Sequence, residues 1–168
     1  MSGHSKWSQI KHKKGVLDQK KGQIFSKISK VIYLAAKKGV NPETNFDLKK
    51  AIERARAINM PNDSIQRAIN KTSDKSIQFE ELLIEAIGPN NIAVKIKAIT
   101  DNRNRTISEI KKLLADHSFK FAPGSTSWML DQPIFLEESD IKKQITEFLE
   151  IIDNHDDVEE VISNLSLQ

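Results

Sequence analysis

The first residues of the chain combine cations with an aromatic ring. The segment SGHSKWSQIKHKKG, residues 2–15, holds four lysines, two histidines and one tryptophan, and it contains no acidic residue. Lysines on such a segment can follow a phosphate backbone and release its counterions. An indole face can stack on an unpaired base, which contributes about 1–3 kcal/mol. The pattern favours contact with nucleic acid; the alternative is that the tryptophan anchors the segment on the first helix and the lysines are only solvated.

A second candidate site is the segment TDNRNRT, residues 100–106, where a strand pattern gives way to a helical one. Arg103 and Arg105 lie at the positive end of the helix dipole, where cations are slightly unfavourable. Two guanidinium groups beside free backbone N–H groups form an anion pocket suited to phosphate. The alternative is that the arginines pair with Glu81 or Glu85 on a neighbouring strand.

A third and weaker candidate is a helix-turn-helix motif in residues 48–70. In that interpretation Gln66, Arg67 and Asn70 would face base edges in a major groove. It is weak because the lysines lie elsewhere in the sequence and the turn lacks the usual glycine.

The residue types that catalysis or metal binding requires do not form a recognisable pattern. The chain has no cysteine, and His4, His12, His117 and His155 are scattered, so a zinc site is not predicted. The acidic residues of 153–160 could hold magnesium, but a solvated connection between a helix and a strand is the favoured interpretation. No nucleotide-binding loop or hydrolase motif is present. We therefore predict no enzyme activity, metal or cofactor.

The charge of the chain is distributed unevenly. Residues 1–75 carry 17 lysines and arginines against 6 acids (+11), and residues 76–168 carry 9 against 17 (−8), which gives the net charge of +3. The turn-like segment KTSDKS, residues 71–76, lies where the sign changes. We predict a basic helical domain with a mobile N-terminal tail, 1–75, and an acidic α+β domain, 76–168. This asymmetry is typical of a polyanion-binding lobe joined to one that does not bind polyanions.

Helical spacing of apolar residues dominates the basic half. Residues 23–38 predict a first helix with lysines on its outer arc and Gly39 as its C-terminal cap. Residues 48–55 predict a second helix, and a third follows Pro61, which can occupy a first helical turn. Short connections between three amphipathic helices favour a small bundle.

From residue 79 onward the apolar period becomes that of strands. The pattern predicts two strands around a type I GPNN turn, a helix, a strand in GSTSWML, a second helix and a last strand. Their ranges in chain order are 79–87, 92–100, 107–114, 124–130, 141–152 and 158–165. The resulting fold class is α+β: an N-terminal three-helix bundle followed by a ferredoxin-like antiparallel β-sheet with two helices.

Six segments resemble, in order, the signature segments of the YebC/PmpR family of bacterial regulatory proteins. They are GHSKWSQIKHKKG, IFSKI, NMPNDSIQRAI, TDNRNRT, GSTSWM and DDVEEVISN. The mitochondrial translational activator of cytochrome c oxidase is similar. The resemblance runs from Ser2 to about Asn164, and it implies nucleic-acid binding, a helical first lobe, an α+β second lobe and a third lobe inserted in the second. Because the resemblance starts at the first residues, we expect no presequence and a cytoplasmic protein.

The chain departs from this family where the third lobe would be inserted. Only DQPIFLEES, residues 131–139, separates the strand predicted to end near Leu130 from the last helix. We therefore expect a short member that lacks the third lobe.

Nucleic acid is the predicted partner. Duplex DNA would be bound by a transcriptional regulator, and ribosomal RNA by a ribosome-associated translation factor; a protein–protein interaction module with an acidic docking domain is the alternative of another class. No small-molecule substrate is predicted, and the longest apolar run, VIYLAA, is too short to cross a bilayer. The residues predicted to contact nucleic acid are Lys6, Trp7, Lys11, His12, Lys13, Lys14, Lys20, Lys21, Lys27, Lys30, Arg103 and Arg105.

Overall fold

The chain contains helices and an antiparallel sheet, and its fold class is α+β. The computed structural model describes residues 18–166, which divide into two compact units. The helical unit comprises residues 18–81 and 99–102, and the sheet unit comprises residues 82–98 and 103–166. The helical unit thus extends past the boundary predicted at Lys75. Within residues 18–166 no helix has the length and apolar character needed to span a bilayer.

Three helices form the core of the helical unit. They are α1 (Asp18–Ala36), α2 (Phe46–Ala57) and α3 (Asn62–Asn70), and a 3₁₀ turn, Lys71–Ser73, follows. Their apolar residues recur at three- and four-residue spacing, so each helix buries one face. All three predicted helices are present. The buried residues of this core are Ile28, Ile32, Ala35, Ala36, Leu48, Ala51, Ile52, Ala55, Ile65, Ala68 and Ile69, together with Met60 of the turn between α2 and α3.

Asn45 links the end of α1 to the start of α2. Its Oδ1 accepts a hydrogen bond from the Leu48 N–H at 3.1 Å, which caps α2. Its Nδ2 donates to the carbonyls of Ala35 at 2.8 Å and Gly39 at 2.6 Å. α1 ends at Ala36, which is earlier than predicted. Gly39 then adopts a φ of +153°, a conformation that favours glycine.

Tyr33 of α1 contacts residues that follow the three helices in the sequence. It is 3% exposed, and its hydroxyl donates to the Ile77 carbonyl at 2.6 Å. Its ring packs edge-on against Phe79, with centroids 5.2 Å apart. The segment that leads into the first strand therefore packs on α1.

The main sheet has four strands in the order β3-β1-β2-β5. β1 (Glu80–Ile87) and β2 (Ala93–Thr100) form a hairpin, while β3 (Lys120–Phe121) and β5 (Val158–Ser163) pair antiparallel with β1 and β2 respectively. Both long strands lie within one residue of their predicted bounds. The hairpin turn is not type I as predicted, because Asn90 has a φ of +56°.

Two helices, α4 (Arg103–Asp116) and α6 (Asp140–Asp153), pack on one face of this sheet. Ser139 caps α6 by accepting from the Lys142 N–H. The core between helices and sheet contains Leu82, Ile84, Ala86, Ile92, Val94, Ile96, Ala98, Ile110, Leu114, Phe119, Ile145, Phe148, Leu149, Ile152, Val158, Val161 and Leu165.

Gly88 permits a close approach between the hairpin and this core. A Cβ at this position would lie 2.3 Å from the ring of Phe119, which itself stacks on Phe148 with centroids 4.0 Å apart. The φ of Gly88 is −110°, which any residue adopts, so the requirement for glycine is one of space.

The strand predicted at 124–130 is wrong. This segment contains a short helix, α5 (Ser127–Leu130), and the local strands are β3 before it and β4 (Ile134–Phe135) after it. The buried Glu85 accepts hydrogen bonds from the Gly124 N–H and the Thr126 hydroxyl, so this segment is bound to a side chain instead of a neighbouring strand. One helical turn then buries Met129 and Leu130 against Ala93 and Ile162.

The last predicted strand, 158–165, is interrupted at the buried Asn164. The Asn164 Oδ1 accepts from the Ala93 N–H at 2.8 Å, and its Nδ2 donates to the Met129 carbonyl at 3.2 Å. Beyond it, β6 (Leu165–Ser166) pairs in parallel with β4 as a separate two-stranded sheet.

Candidate nucleic-acid interface

Half of the residues predicted to contact nucleic acid lie on two helices. Lys20, Lys21, Lys27 and Lys30 are on α1, while Arg103 and Arg105 are in the first turn of α4. The remaining six lie outside the described residues: Lys6, Trp7, Lys11, His12, Lys13 and Lys14.

The α1 lysines differ in exposure. Lys20 and Lys21 are exposed near the start of α1, whereas Lys27 and Lys30 are half-buried. The Lys21 Nζ lies 6.0 Å from the centroid of the Phe25 ring, and the Lys30 Nζ lies 5.9 Å from that of Phe79. A polyanion would therefore meet the N-terminal end of α1 most directly, where the helix dipole is also positive.

α2 adds a cationic surface that was not predicted from the sequence. The ring of Phe46, the first residue of this helix, is covered by the Lys50 Nζ at 4.4 Å from its centroid. The signal was present in the sequence, because exposed cations fall on the arc opposite Leu48 and Ala55. The exposed cations of α2 are Lys49, Lys50, Arg54 and Arg56.

One carboxylate near this surface is neutralised locally. The Lys38 Nζ lies 2.7 Å from the Asp47 Oδ2, and both side chains are largely exposed. Their hydrogen bond and mutual attraction raise the pKa of Lys38 and lower the pKa of Asp47. Asp47 therefore contributes little net negative charge at the start of α2.

The side chains of the possible helix-turn-helix motif bond within their own helix. The Gln66 Nε2 donates to the Asn70 Oδ1 at 2.9 Å, and the Arg67 Nε donates to the Asp63 carbonyl at 3.2 Å. A second guanidinium nitrogen of Arg67 donates to the Ser64 hydroxyl at 3.3 Å. These residues remain on the surface of α3, but contact with bases would have to replace these bonds.

A buried carboxylate from a distant part of the sequence lies against the first turn of α4. The buried Asp157 Oδ2 lies 2.8 Å from an Arg105 guanidinium nitrogen and 2.6 Å from the Thr106 hydroxyl, which donates to it. Arg105 is thus paired with Asp157, which is 52 residues away in sequence. Glu85, one of the two partners considered from the sequence, instead accepts hydrogen bonds from residues 124–126. Arg103, the first residue of α4, is exposed. The use of either arginine for phosphate stays a prediction.

Among the described residues, one group of three potential metal ligands comes together. Carboxylate and imidazole atoms of Glu109, His155 and Asp157 lie within 4.8 Å of one another. The His155 Nε2 lies 3.0 Å from the Glu109 Oε2, and the His155 Nδ1 accepts from the Asp157 N–H at 3.1 Å. Hydrogen bonds therefore explain the group. The interpretation of 153–160 as a solvated connection is wrong for Asp153 and Asp157, which are buried.

Each of the two units contains residues that match a known protein family. Residues 5–75 match the TACO1/YebC protein N-terminal domain, and residues 79–135 match the TACO1/YebC second and third domain. The chain belongs to the TACO1/YebC family.

Curated relatives carry a regulatory name. A probable transcriptional regulatory protein of Thermoanaerobacter pseudethanolicus is 48% identical over 136 residues, which cover 79% of this chain and 55% of that protein. One from Dictyoglomus turgidum is 40% identical over 177 residues, covering 98% of this chain and 71% of that protein. The chain thus spans between about half and 71% of the length of these relatives.

A solved structure has the same fold. The crystal structure of a conserved hypothetical protein from Aquifex aeolicus superposes with a TM-score of 0.87 at 26% sequence identity. The match covers 96% of this chain and 97% of that one.

Proposed function

We propose that this chain is a nucleic-acid-binding regulator of gene expression that binds duplex DNA through residues 1–75. The observation that carries the proposal is the charge of +11 in this region, with exposed cations on α1 and α2. Such a surface neutralises backbone phosphates without reading sequence. Relatives named probable transcriptional regulatory proteins add support for regulation as the outcome of binding.

The two parts of the chain have different roles in this proposal. The basic domain, 1–75, acts as a three-helix bundle that contacts phosphate, and the domain of 76–168 acts as an acidic, ferredoxin-like frame. The negative charge of the second domain keeps a polyanion on the first, because like charges repel. Binding, and not catalysis, is the proposed activity, and the cytoplasm is the proposed location.

Salt-dependent DNA binding tests the proposal. We expect a labelled 20-base-pair duplex to bind in fluorescence anisotropy, with an affinity that falls steeply as salt rises. In Lys20→Gln/Lys21→Gln the slope of log affinity against log salt should become shallower by about 0.9 for each phosphate that the variant no longer neutralises. The matched control is Lys112→Gln/Lys143→Gln, which removes two exposed lysines of the sheet unit and should leave the slope unchanged.

The alternatives differ in what the protein binds when ribosomes and structured RNA are tested beside the duplex. Binding to ribosomes or structured RNA without affinity for duplex DNA would favour a translation factor. If the protein binds no polynucleotide even in dilute buffer, the proposal is overturned. The protein–protein interaction module then remains as the alternative function.

A further inference from the structure

Phe46 is a large aromatic residue that the helical core does not use. Its side chain is 67% exposed, although it is the first residue of a helix whose other face is buried. The Lys50 ammonium group lies 4.4 Å from the ring centroid. One face of the ring therefore carries this cation, and the rest of the ring is open to solvent.

The ring begins a line of side chains along α2. Phe46, Lys50 and Arg54 follow one another at four-residue spacing, and all three are exposed. Residues four apart lie on the same helix face, about 6 Å apart along the axis. The opposite face is occupied by Leu48, Ala51, Ile52 and Ala55, which are buried. An aromatic platform and two cations therefore point away from the core together.

The charge around this line suits an anion. Asp47, the carboxylate next to the ring in sequence, is held by Lys38 at 2.7 Å. Lys49, Arg56 and one carboxylate, Glu53, are also exposed on this helix, so its exposed cations outnumber its unpaired exposed acid. An aromatic ring flanked by cations matches the two parts of a nucleotide, because every base has a face that stacks and every phosphate is an anion.

We infer that α2 holds a site for an unpaired nucleotide, in which the base stacks on Phe46 and adjoining phosphates bind Lys50 and Arg54. The inference rests on the proposed function, and it adds a second mode of binding. Inside a duplex both faces of each base are covered by neighbouring bases, so the ring is suited to the bases of a single-stranded segment. DNA and RNA share the chemistry of this site.

Binding of single-stranded oligonucleotides to the full chain tests the inference. The probes are a labelled twelve-residue oligo(dT), an oligo(rU) of equal length and a duplex. We expect Phe46→Ala to weaken oligo(dT) or oligo(rU) binding by about 5- to 150-fold, which corresponds to the stacking of one base. Duplex binding should change by less than about twofold. Phe46→Trp should restore single-strand affinity, and Phe46→Leu should not.

Phe135→Ala is the matched control, because Phe135 is 61% exposed in the sheet unit. It should leave single-strand affinity unchanged, and circular dichroism should show equal helix content in all variants. Equal single-strand binding by Phe46→Ala and wild type would overturn the inference and leave duplex binding standing. An equal weakening for single strands and duplex would also overturn it. A wild-type protein that binds no oligonucleotide would overturn the proposed function as well.

Discussion

Glu85 is a buried carboxylate that fixes the segment before α5. Burial by itself raises the pKa of Glu85, but hydrogen bonds from the Thr126 hydroxyl and the Gly124 N–H, together with the nearby Lys95, outweigh burial and lower it. A carboxylate whose pKa is lowered by folding stabilises the folded state above its unfolded pKa. That stabilisation disappears as the pH falls through the folded pKa.

We therefore expect Glu85→Gln to lower the free energy of unfolding at pH 7 by about 2–3 kcal/mol. The amide keeps one acceptor but turns a donor toward Gly124 or Thr126. Urea unfolding between pH 3 and pH 7 should show that the difference from wild type shrinks in acid. Glu147→Gln, in an exposed glutamate of α6, is the control and should change little. A difference that stays constant with pH would contradict this role.

Asp157 competes with any external anion for Arg105. Asp157→Asn removes the charge that lies 2.8 Å from the guanidinium group, so we expect duplex affinity to rise by about two- to fivefold. The double variant Asp157→Asn/Arg105→Gln should not show this gain. Asp156→Asn, an exposed neighbour, removes the same charge from the surface and controls for net charge. An equal rise in that control would remove Arg105 from the predicted nucleic-acid contacts.

At the scale of elements, Asn45 needs its amide and not only its oxygen. At most N-caps aspartate replaces asparagine without penalty. Here the Nδ2 donates to the carbonyls of Ala35 and Gly39, and an aspartate would turn an oxygen toward both. We expect Asn45→Asp to lower the melting temperature at least as much as Asn45→Ala does. Circular dichroism measures the melting temperatures.

The cap of α6 provides the comparison for that prediction. Ser139 uses its hydroxyl oxygen to accept from the Lys142 N–H. Ser139→Asp should therefore be tolerated in the same thermal melts. A tolerated Asn45→Asp would show that the bonds to the α1 carboxyl end contribute little.

Elements with local signals were predictable, and those with distant partners were not. Helical spacing predicted α1 to α3, and alternation predicted β1 and β2, because one buried face determines each pattern. Residues 124–130 carry no decisive period. Their conformation depends on Glu85, 39 residues from Gly124, and the sequence does not indicate that pair.

The candidate site was predictable to a similar extent. Charge counts identified the basic half, and the lysines of α1 followed from it. The ion pair between Arg105 and Asp157 could not be predicted, because only the fold brings residues 52 apart together. Phe46 was missed because it precedes the predicted start of α2, where an exposed aromatic residue gives no periodic signal.

At the scale of the whole molecule, residues 76–81 belong to the helical unit. A fragment of residues 1–75 lacks the Ile77 carbonyl and the Phe79 ring that bury Tyr33. We expect a fragment of residues 1–81 to melt about 10 °C higher, since the hydrogen bond and ring pair contribute about 2 kcal/mol. Introducing Tyr33→Phe and Phe79→Ala into the longer fragment should remove the difference. Equal melting temperatures of the two unmodified fragments would contradict the assignment of residues 76–81 to the helical unit.

Within residues 18–166 the backbone passes from one unit to the other three times, after Glu81, after Ala98 and after Asn102. One of these passages lies inside β2, so a regular strand, and not a loop, carries the chain across. A protease that hydrolyses the peptide bond after Glu81 therefore does not divide the molecule cleanly into its two units. The downstream piece still supplies residues 99–102 to the helical unit, so the nicked protein should elute as a single noncovalent species until denaturant releases its two pieces.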